Sequence, residues 1–255
     1  MSEGAHGLSA RERLRAERAT AAKRTRLRRR LLLVAMVVAV LSLGGVYLTS
    51  GDPADEAVDK PLVVPANTAG DQRTSVVHGK PDARRTLTVH TALNCTECHK
   101  LEQALGPAMR ALADQGAYRI EYRVAATLDG TAGDESALHA INALGAAANA
   151  DAETEAGKAG KFNGYLGLLL GEQSASDDRL LALADKVEGL RTPAFDRAVQ
   201  ELTYLPWSVK VDRAHRASRE ELPAAELDGA ALPLRESGGR FLTPEAFARH
   251  VRERL

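Results

Sequence analysis

The sequence contains only two cysteines, Cys95 and Cys98, among its 255 residues. A structural zinc site needs about four ligands, and no second cysteine pair exists to complete one. A disulfide between cysteines this close in sequence closes a very short loop, so it constrains little of the unfolded chain. A metal site completed by histidines and a merely structural pair remain the less favoured alternatives, so the reactivity of Cys-x-x-Cys is the main question.

Methionine is also scarce, with three residues in the chain. This matters because His99 follows Cys98, and Cys-x-x-Cys-His is also the attachment motif of c-type haem. Most haem electron carriers need a second axial ligand. Met36 lies in an apolar run and Met109 shares a predicted helix with His99, which leaves only distant histidines at 139, 215 and 250. Haem attachment therefore stays open as an alternative, and no cofactor is predicted.

Net charge is absent overall, but the charges are separated along the chain. Residues 1–30 carry a net +7 and residues 51–255 a net −7, while the run from Leu31 to Leu48 has no charge and no proline. About 20 apolar helical residues cross a hydrocarbon layer roughly 30 Å thick. We expect a basic cytoplasmic arm (1–30), a transmembrane helix (31–50) and an extracytoplasmic remainder, because positive flanks stay inside.

The N-terminal region fits other kinds of segment less well. The apolar run exceeds the 7–15 residues usual in a cleaved signal peptide, and no small-residue cleavage site follows it. Paired arginines leave a weak twin-arginine export signal open. Juxtamembrane arginines generally set topology and contact anionic lipid, so nucleic acid is not an expected partner. The sequence thus predicts a single-pass cell-membrane protein in contact with lipid.

After the apolar run, the chain divides into a linker and one domain without internal repeats. Residues 51–73 carry three prolines and no apolar period, which is typical of a flexible linker. In the domain, 74–255, a strand is predicted over 85–93, a helix from Cys98 with a kink at Gly106-Pro107, and a half-buried alternating strand over 118–124. Strand, helix and strand form a βαβ unit of an α/β fold.

The second half of the domain is mostly helical. Ala and Leu dominate residues 135–219, with breaks before Pro193 and Pro206. Asp228-Gly229 predicts a hairpin turn, and Thr243 is the expected cap of a final helix that ends at Arg254. The predicted order is βαβ, helical block, then ββα.

The position of the cysteines in the βαβ unit favours thiol redox chemistry. A thiolate at a helix N-terminus is stabilised by unpaired N–H groups and by the helix dipole. This lowers the pKa of Cys95, and the thiolate is the attacking species. Cys98 lies one turn further on, where it can resolve a mixed disulfide.

The stretch "TLTVHTALNCTEC", the segment "GKFNGYLGLLLGEQ" and the last hairpin and helix resemble the membrane-anchored DsbA-like thiol–disulfide oxidoreductases of the thioredoxin superfamily. The resemblance covers roughly residues 76–255. It implies an α/β (α+β) thioredoxin-like fold with a helical insertion at about 135–219, and a redox-active Cys95–Cys98 disulfide. It also implies exchange with exported protein thiols or disulfides, and re-oxidation by a quinone-linked membrane partner.

The resemblance also implies a cis-proline facing the cysteine pair. Pro223 is favoured over Pro233 because it precedes the first hairpin strand, whereas Pro233 would fall inside the second. Leu222 would then present its backbone to a bound client. The family usually has proline directly after the first cysteine, and an acid shortly before the pair. This chain has Thr96 after the first cysteine and no acid in His90–Asn94.

Three residues are candidates for tuning the pair: Thr96, Glu97 and His99. Glu97 lies between the cysteines, and its negative charge should oppose a thiolate and make the pair less oxidising. His99 is expected mainly to be a solvated helix residue. The predicted function is an extracytoplasmic thiol–disulfide oxidoreductase. The alternatives are a degenerate thioredoxin-like module that binds clients without turnover and the haem carrier.

Overall fold

The computed structural model of the chain describes residues 59–127, 135–152, 160–172, 176–218 and 221–255. The predicted basic arm, the predicted transmembrane helix and the first part of the predicted linker lie outside these ranges. Within the described ranges, no helix has both the length and the apolar character needed to cross a bilayer.

A six-stranded mixed sheet forms the centre of the domain, in the order β1-β2-β4-β3-β5-β6. The strands are β1 (Thr68–Ala69), β2 (Ser75–His78), β3 (Thr86–Ala92), β4 (Arg119–Ala125), β5 (Ala224–Leu227) and β6 (Ala230–Ala231). Strands β3 and β4 are parallel, and every other neighbouring pair is antiparallel. The predicted α/β architecture is confirmed. The sheet begins earlier than expected. Neither β1, which lies within the predicted linker, nor β2 was predicted, because strands of two and four residues are too short to show a clear period.

Seven helices occur in the described residues. They are α1 (Thr96–Gln115), α2 (Glu135–Asp151), α3 (Gly160–Leu169), α4 (Asp177–Ala184), α5 (Pro193–Gln200), α6 (Leu205–Ser218) and α7 (Pro244–Arg252). Helix α1 is the crossover between the parallel strands β3 and β4, and it continues through Pro107. Helices α2 to α6 are the insertion between β4 and β5, in agreement with the predicted helical block.

The sheet is covered by helices on both faces. Tyr122 lies close to Arg110 of α1, while its neighbour Arg123 lines a cavity together with Val211 of α6. Successive strand residues point to opposite faces, so α1 and α6 lie on opposite sides of the sheet. One apolar cluster, which includes Leu87, Leu105 and Val211, joins the sheet to both helical layers.

Strand β4 differs from its predicted half-buried character. Tyr118, Ile120 and Tyr122 are buried as expected, but Glu121 on the other face is only 7% exposed. The strand lies between β2 and β3, and α6 packs against it. The Glu121 carboxylate lies 3.2 Å from the guanidinium of Arg119, which offsets its burial.

The final hairpin and helix follow local sequence signals. Asp228 and Gly229 both have positive φ, 51° and 80°, as a two-residue hairpin turn requires. Thr243 caps α7 through its side chain, which accepts the Ala246 N–H at 3.2 Å. The second hairpin strand is shorter than expected and ends at Ala231, so Pro233 lies outside it.

Candidate active site

The cysteine pair lies where β3 leads into α1, beyond the carboxyl end of a central strand. Cys95 is the N-cap of α1, and its Sγ accepts a hydrogen bond from the Cys98 N–H at 3.0 Å. Helix α1 begins at Thr96, two residues before the predicted start. The sulfur of Cys95 therefore faces the unpaired N–H groups and the positive end of a 20-residue helix.

The two sulfurs are joined as a disulfide, with Sγ atoms 2.08 Å apart. Both cysteine side chains are 1% exposed, whereas Asn94 before them and Thr96 between them are exposed. The buried sulfurs are thus bordered by polar surface residues.

Pro223 lies at the same end of the sheet as the cysteine pair. Strand β5 pairs antiparallel with β3, and Ala224 is opposite His90. The residue before Ala224 is therefore next to the carboxyl end of β3, from which the chain enters the Cys95 turn. The Leu222–Pro223 peptide bond is cis. Pro233, the competing candidate, follows the β5–β6 hairpin.

Sequence and structure comparisons place this site in a known family. A family model described as thioredoxin matches residues 71–229, well over half of the chain. The chain belongs to this thioredoxin family. No curated protein matches the chain by sequence.

Solved structures share the fold of this thioredoxin-family chain. The MdbA thiol-disulfide oxidoreductase of Actinomyces oris is 20% identical, with 80% of this chain and 96% of that chain covered and a TM-score of 0.56. The oxidised DsbA of Mycobacterium tuberculosis is 19% identical, with 70% and 91% covered and a TM-score of 0.53. The MdbA of Corynebacterium diphtheriae is 16% identical, with 79% and 100% covered and a TM-score of 0.53. The chain thus has a DsbA-like thioredoxin fold with a Cys95-x-x-Cys98 pair.

Glu97, between the cysteines of this thioredoxin-family site, is paired with two cations. Its Oε1 lies 2.7 Å from Lys100 Nζ, and its Oε2 accepts a hydrogen bond from Arg235. Hydrogen bonds from Lys100 and then Arg235 lower the pKa of Glu97. The negative charge between the cysteines is evident from the sequence, but Arg235 lies 138 residues further along the chain and was not predicted as its partner. No local pattern identifies such a partner.

His99 packs more closely than a solvated helix residue would. Its ring nitrogen Nε2 lies 2.8 Å from the Gln103 amide nitrogen, one turn along α1. A Cβ at Gly171, just beyond α3, would lie 2.7 Å from His99 Cε1. Gly171 therefore makes room for the imidazole, and the helical insertion contacts the helix turn that carries the cysteines. Thr96 is exposed, as a residue at the rim of the pair should be.

A half-buried acid lies in α1, four residues after Cys98. Glu102 forms an ion pair with Arg110, and both groups lie near the buried Tyr122 hydroxyl. Burial raises the pKa of Glu102, although Arg110 opposes this. The Glu102 carboxylate lies over Gly106, in the direction of the helix C-terminus, so it points away from the sulfurs. The spacing of Glu102, Gly106 and Arg110 by four residues is a sequence signal for this pair, because such residues lie on one face of a helix.

In the described ranges, no cluster of three or more His, Cys, Asp or Glu side chains could hold a metal ion. The histidines considered as second haem ligands lie on other elements. His139 of α2 lies 3.3 Å from Asp177, His250 of α7 lies 3.7 Å from Glu253, and His215 of α6 is on the sheet face opposite to α1.

Proposed function

We propose that this protein is an extracytoplasmic thiol–disulfide oxidoreductase that exchanges disulfides with exported proteins through Cys95 and Cys98. The observation that carries the proposal is Cys95 at the N-cap of α1, where its Sγ accepts the Cys98 N–H. That position stabilises a thiolate, the form in which a cysteine attacks or leaves in exchange. The related folds of MdbA and DsbA support the same chemistry.

The exchange transfers two electrons in two steps. A client thiolate attacks Cys95 Sγ, the Cys95–Cys98 bond breaks, and Cys98 leaves with the electron pair and takes up a proton. A second client thiolate then attacks the client sulfur of the mixed disulfide and releases Cys95 as a thiolate. The client is oxidised and the pair is reduced; the reverse sequence reduces a client. A quinone-linked membrane partner would re-oxidise the pair.

Leu222 and Pro223 would border the client during this exchange. They lie beside the carboxyl end of β3, next to the turn that carries Cys95. The Leu222 backbone is therefore suited to contact the client segment that carries the reacting cysteine.

The proposed location rests on the N-terminal sequence. The +7 arm and the following uncharged 18-residue run would hold the N-terminus in the cytoplasm and the thioredoxin domain outside, anchored in lipid. Protease added to intact cells should digest the domain and spare the arm. A domain that is protected until the cells are lysed would contradict this orientation.

Thiol exchange is favoured over the haem alternative by the surroundings of His99. Its ring is packed against Gly171 and paired with Gln103. A visible absorption spectrum of the purified protein tests this directly, because a haem band would contradict the exchange proposal. A module that binds clients without turnover would not convert a disulfide substrate repeatedly. Many turnovers per protein molecule would therefore support the oxidoreductase over the client-binding module.

The roles of the cysteines give the decisive test. Cys98→Ala should accumulate mixed disulfides with clients, because no resolving thiol remains, whereas Cys95→Ala should trap none. Non-reducing gels of the two variants, followed by reduction, measure the trapped species. Equal trapping by both variants would contradict the assignment, and trapping by neither would contradict the function.

A further inference from the structure

Arg235 lies beside the dipeptide between the cysteines and is held there by three contacts. One guanidinium nitrogen donates to Glu97 Oε2, and another donates to the Gly239 carbonyl at 2.6 Å. The guanidinium also lies over the Phe241 ring, 3.9 Å from its centroid. The fixed planar fork of arginine suits several simultaneous contacts. Arg235 is therefore a preorganised charge, unlike a mobile surface cation.

The positive charge of Arg235 matters because its partner Glu97 lies close to Cys95, between the two cysteines. Glu97 is in the first turn of α1, so a freely moving carboxylate could approach the Cys95 sulfur and disfavour its thiolate. Instead, Lys100 binds one carboxylate oxygen and Arg235 binds the other. Arg235 belongs to the segment 235–241, which follows the β5–β6 hairpin, and it draws the carboxylate toward that segment.

We propose that Arg235 is a positioning residue of the redox pair: by holding Glu97 and offsetting its charge, it stabilises the Cys95 thiolate of the reduced form. The inference rests on the proposed function, and it predicts a more oxidising pair than the Cys-Thr-Glu-Cys sequence alone would suggest. A stabilised reduced form is what makes a dithiol pair oxidising. Lys100 is the second anchor, and it comes from α1 itself.

Arg235→Gln tests the inference. Without the guanidinium, Glu97 is held only by Lys100, so the reduced form loses stability. In equilibrium with glutathione, we expect the ratio of the disulfide form to the dithiol form to rise about threefold. This is equivalent to a reduction potential of the Cys95–Cys98 pair that is about 14 mV more negative. The pKa of Cys95, measured from the pH profile of iodoacetamide alkylation of the reduced protein, should rise. An unchanged Cys95 pKa and potential would overturn the inference.

Two controls separate positioning from a general charge effect. Arg240→Gln removes one positive charge from the same segment, where Arg240 is 84% exposed and pairs with Glu236; it should shift neither quantity. In a Glu97→Gln background, Arg235→Gln should have less than half its effect. An equal effect in both backgrounds would show that Arg235 acts as an independent charge and would overturn the positioning role.

The readouts also distinguish this inference from the function on which it rests. Circular dichroism of each variant establishes that the domain is folded. Alkylation and glutathione equilibrium need only the cysteine pair, with no client. Failure of the wild-type protein to oxidise or reduce a protein client would therefore contradict the proposed function while the test of Arg235 still stands.

Discussion

At the scale of single residues, His78 shows how burial selects a protonation state. Its Nδ1 lies 3.0 Å from the Asn163 amide nitrogen, and its Nε2 lies 3.1 Å from Asp114 Oδ1. An amide nitrogen donates, and the Nδ1 of a neutral imidazole can accept that hydrogen bond. This arrangement fits the neutral imidazole. Burial lowers the pKa of His78, and Asp114 opposes this only in part.

The lowered pKa of His78 predicts a loss of stability in acid. The unfolded histidine has a pKa of 6.5, above that of the folded one, so the unfolded chain takes up the proton first. The contribution of His78 to the free energy of unfolding is fully present above pH 6.5, and it is lost as the pH falls from 6.5 through the pKa of the folded histidine. Urea unfolding between pH 7.5 and 5 should show a shallower decline for His78→Gln than for wild type.

Asp114→Asn provides the matched comparison for this prediction. The Asp114 carboxylate favours the charged imidazolium, so its removal should lower the folded pKa of His78 further. The loss of stability should then continue to a lower pH than in wild type. Identical pH slopes for wild type and His78→Gln would show that His78 does not carry the effect.

At the scale of elements, Gly106 inside α1 makes room for a half-buried ion pair. Glycine in a helix interior costs about 1 kcal/mol relative to alanine. Here a Cβ on Gly106 would overlap the Glu102 carboxylate, whose Cδ would be 2.5 Å away. Arg110 holds that carboxylate in place between α1 and the sheet. The glycine thus leaves the space that the Glu102–Arg110 pair occupies.

Gly106→Ala should therefore destabilise the protein, against the usual gain from helix propensity. Displacing Glu102 leaves Arg110 without its partner, and breaking a fully buried pair costs about 3–5 kcal/mol. Because both side chains keep some exposure, we expect a loss of about 1–2 kcal/mol in urea unfolding at neutral pH.

Gly167→Ala, in α3, is the control for this substitution. No atom lies within 4 Å of its added Cβ, so only helix propensity changes. It should gain up to about 1 kcal/mol. A gain of the same size from Gly106→Ala would show that Glu102 moves aside freely.

At the scale of the whole domain, the helical insertion and the sheet share one apolar core. The cluster includes Ile141 of α2 and Phe162 of α3 together with Leu87 of β3 and Phe247 of α7. Trp207 of α6 also donates its indole N–H to the Arg73 carbonyl at 2.8 Å, which ties the insertion to the segment before β2. Neither part can lose its packing without exposing the core of the other.

We therefore expect the domain to unfold in a single transition. Trp207 is the only tryptophan of the chain, so its fluorescence reports on the insertion, while far-ultraviolet circular dichroism reports on all elements. With the disulfide intact, the two urea curves should coincide. A fluorescence midpoint clearly below the circular dichroism midpoint would mean that the insertion unfolds independently.

The sequence alone determined those features whose cause is local. The Cys95–Cys98 spacing after a strand, the turn at Asp228-Gly229 and the cap at Thr243 each depend on backbone and side-chain preferences within about one helical turn. The order of the elements from β3 to α7 likewise follows from apolar periods along the chain, whereas β1 and β2 were not predicted. These signals act before distant parts of the chain meet.

Only the tertiary structure decided the electrostatics and the packing around the cysteines. Arg235 reaches Glu97 across 138 residues, Gly171 accommodates His99, and Glu121 is buried because α6 covers its face of the sheet. Each contact joins elements that are far apart in sequence, so its existence depends on how those elements pack. The residues next to a position in the sequence do not determine which distant element packs against it. The charge of Glu97 is therefore evident from the sequence, whereas its partner Arg235 is not.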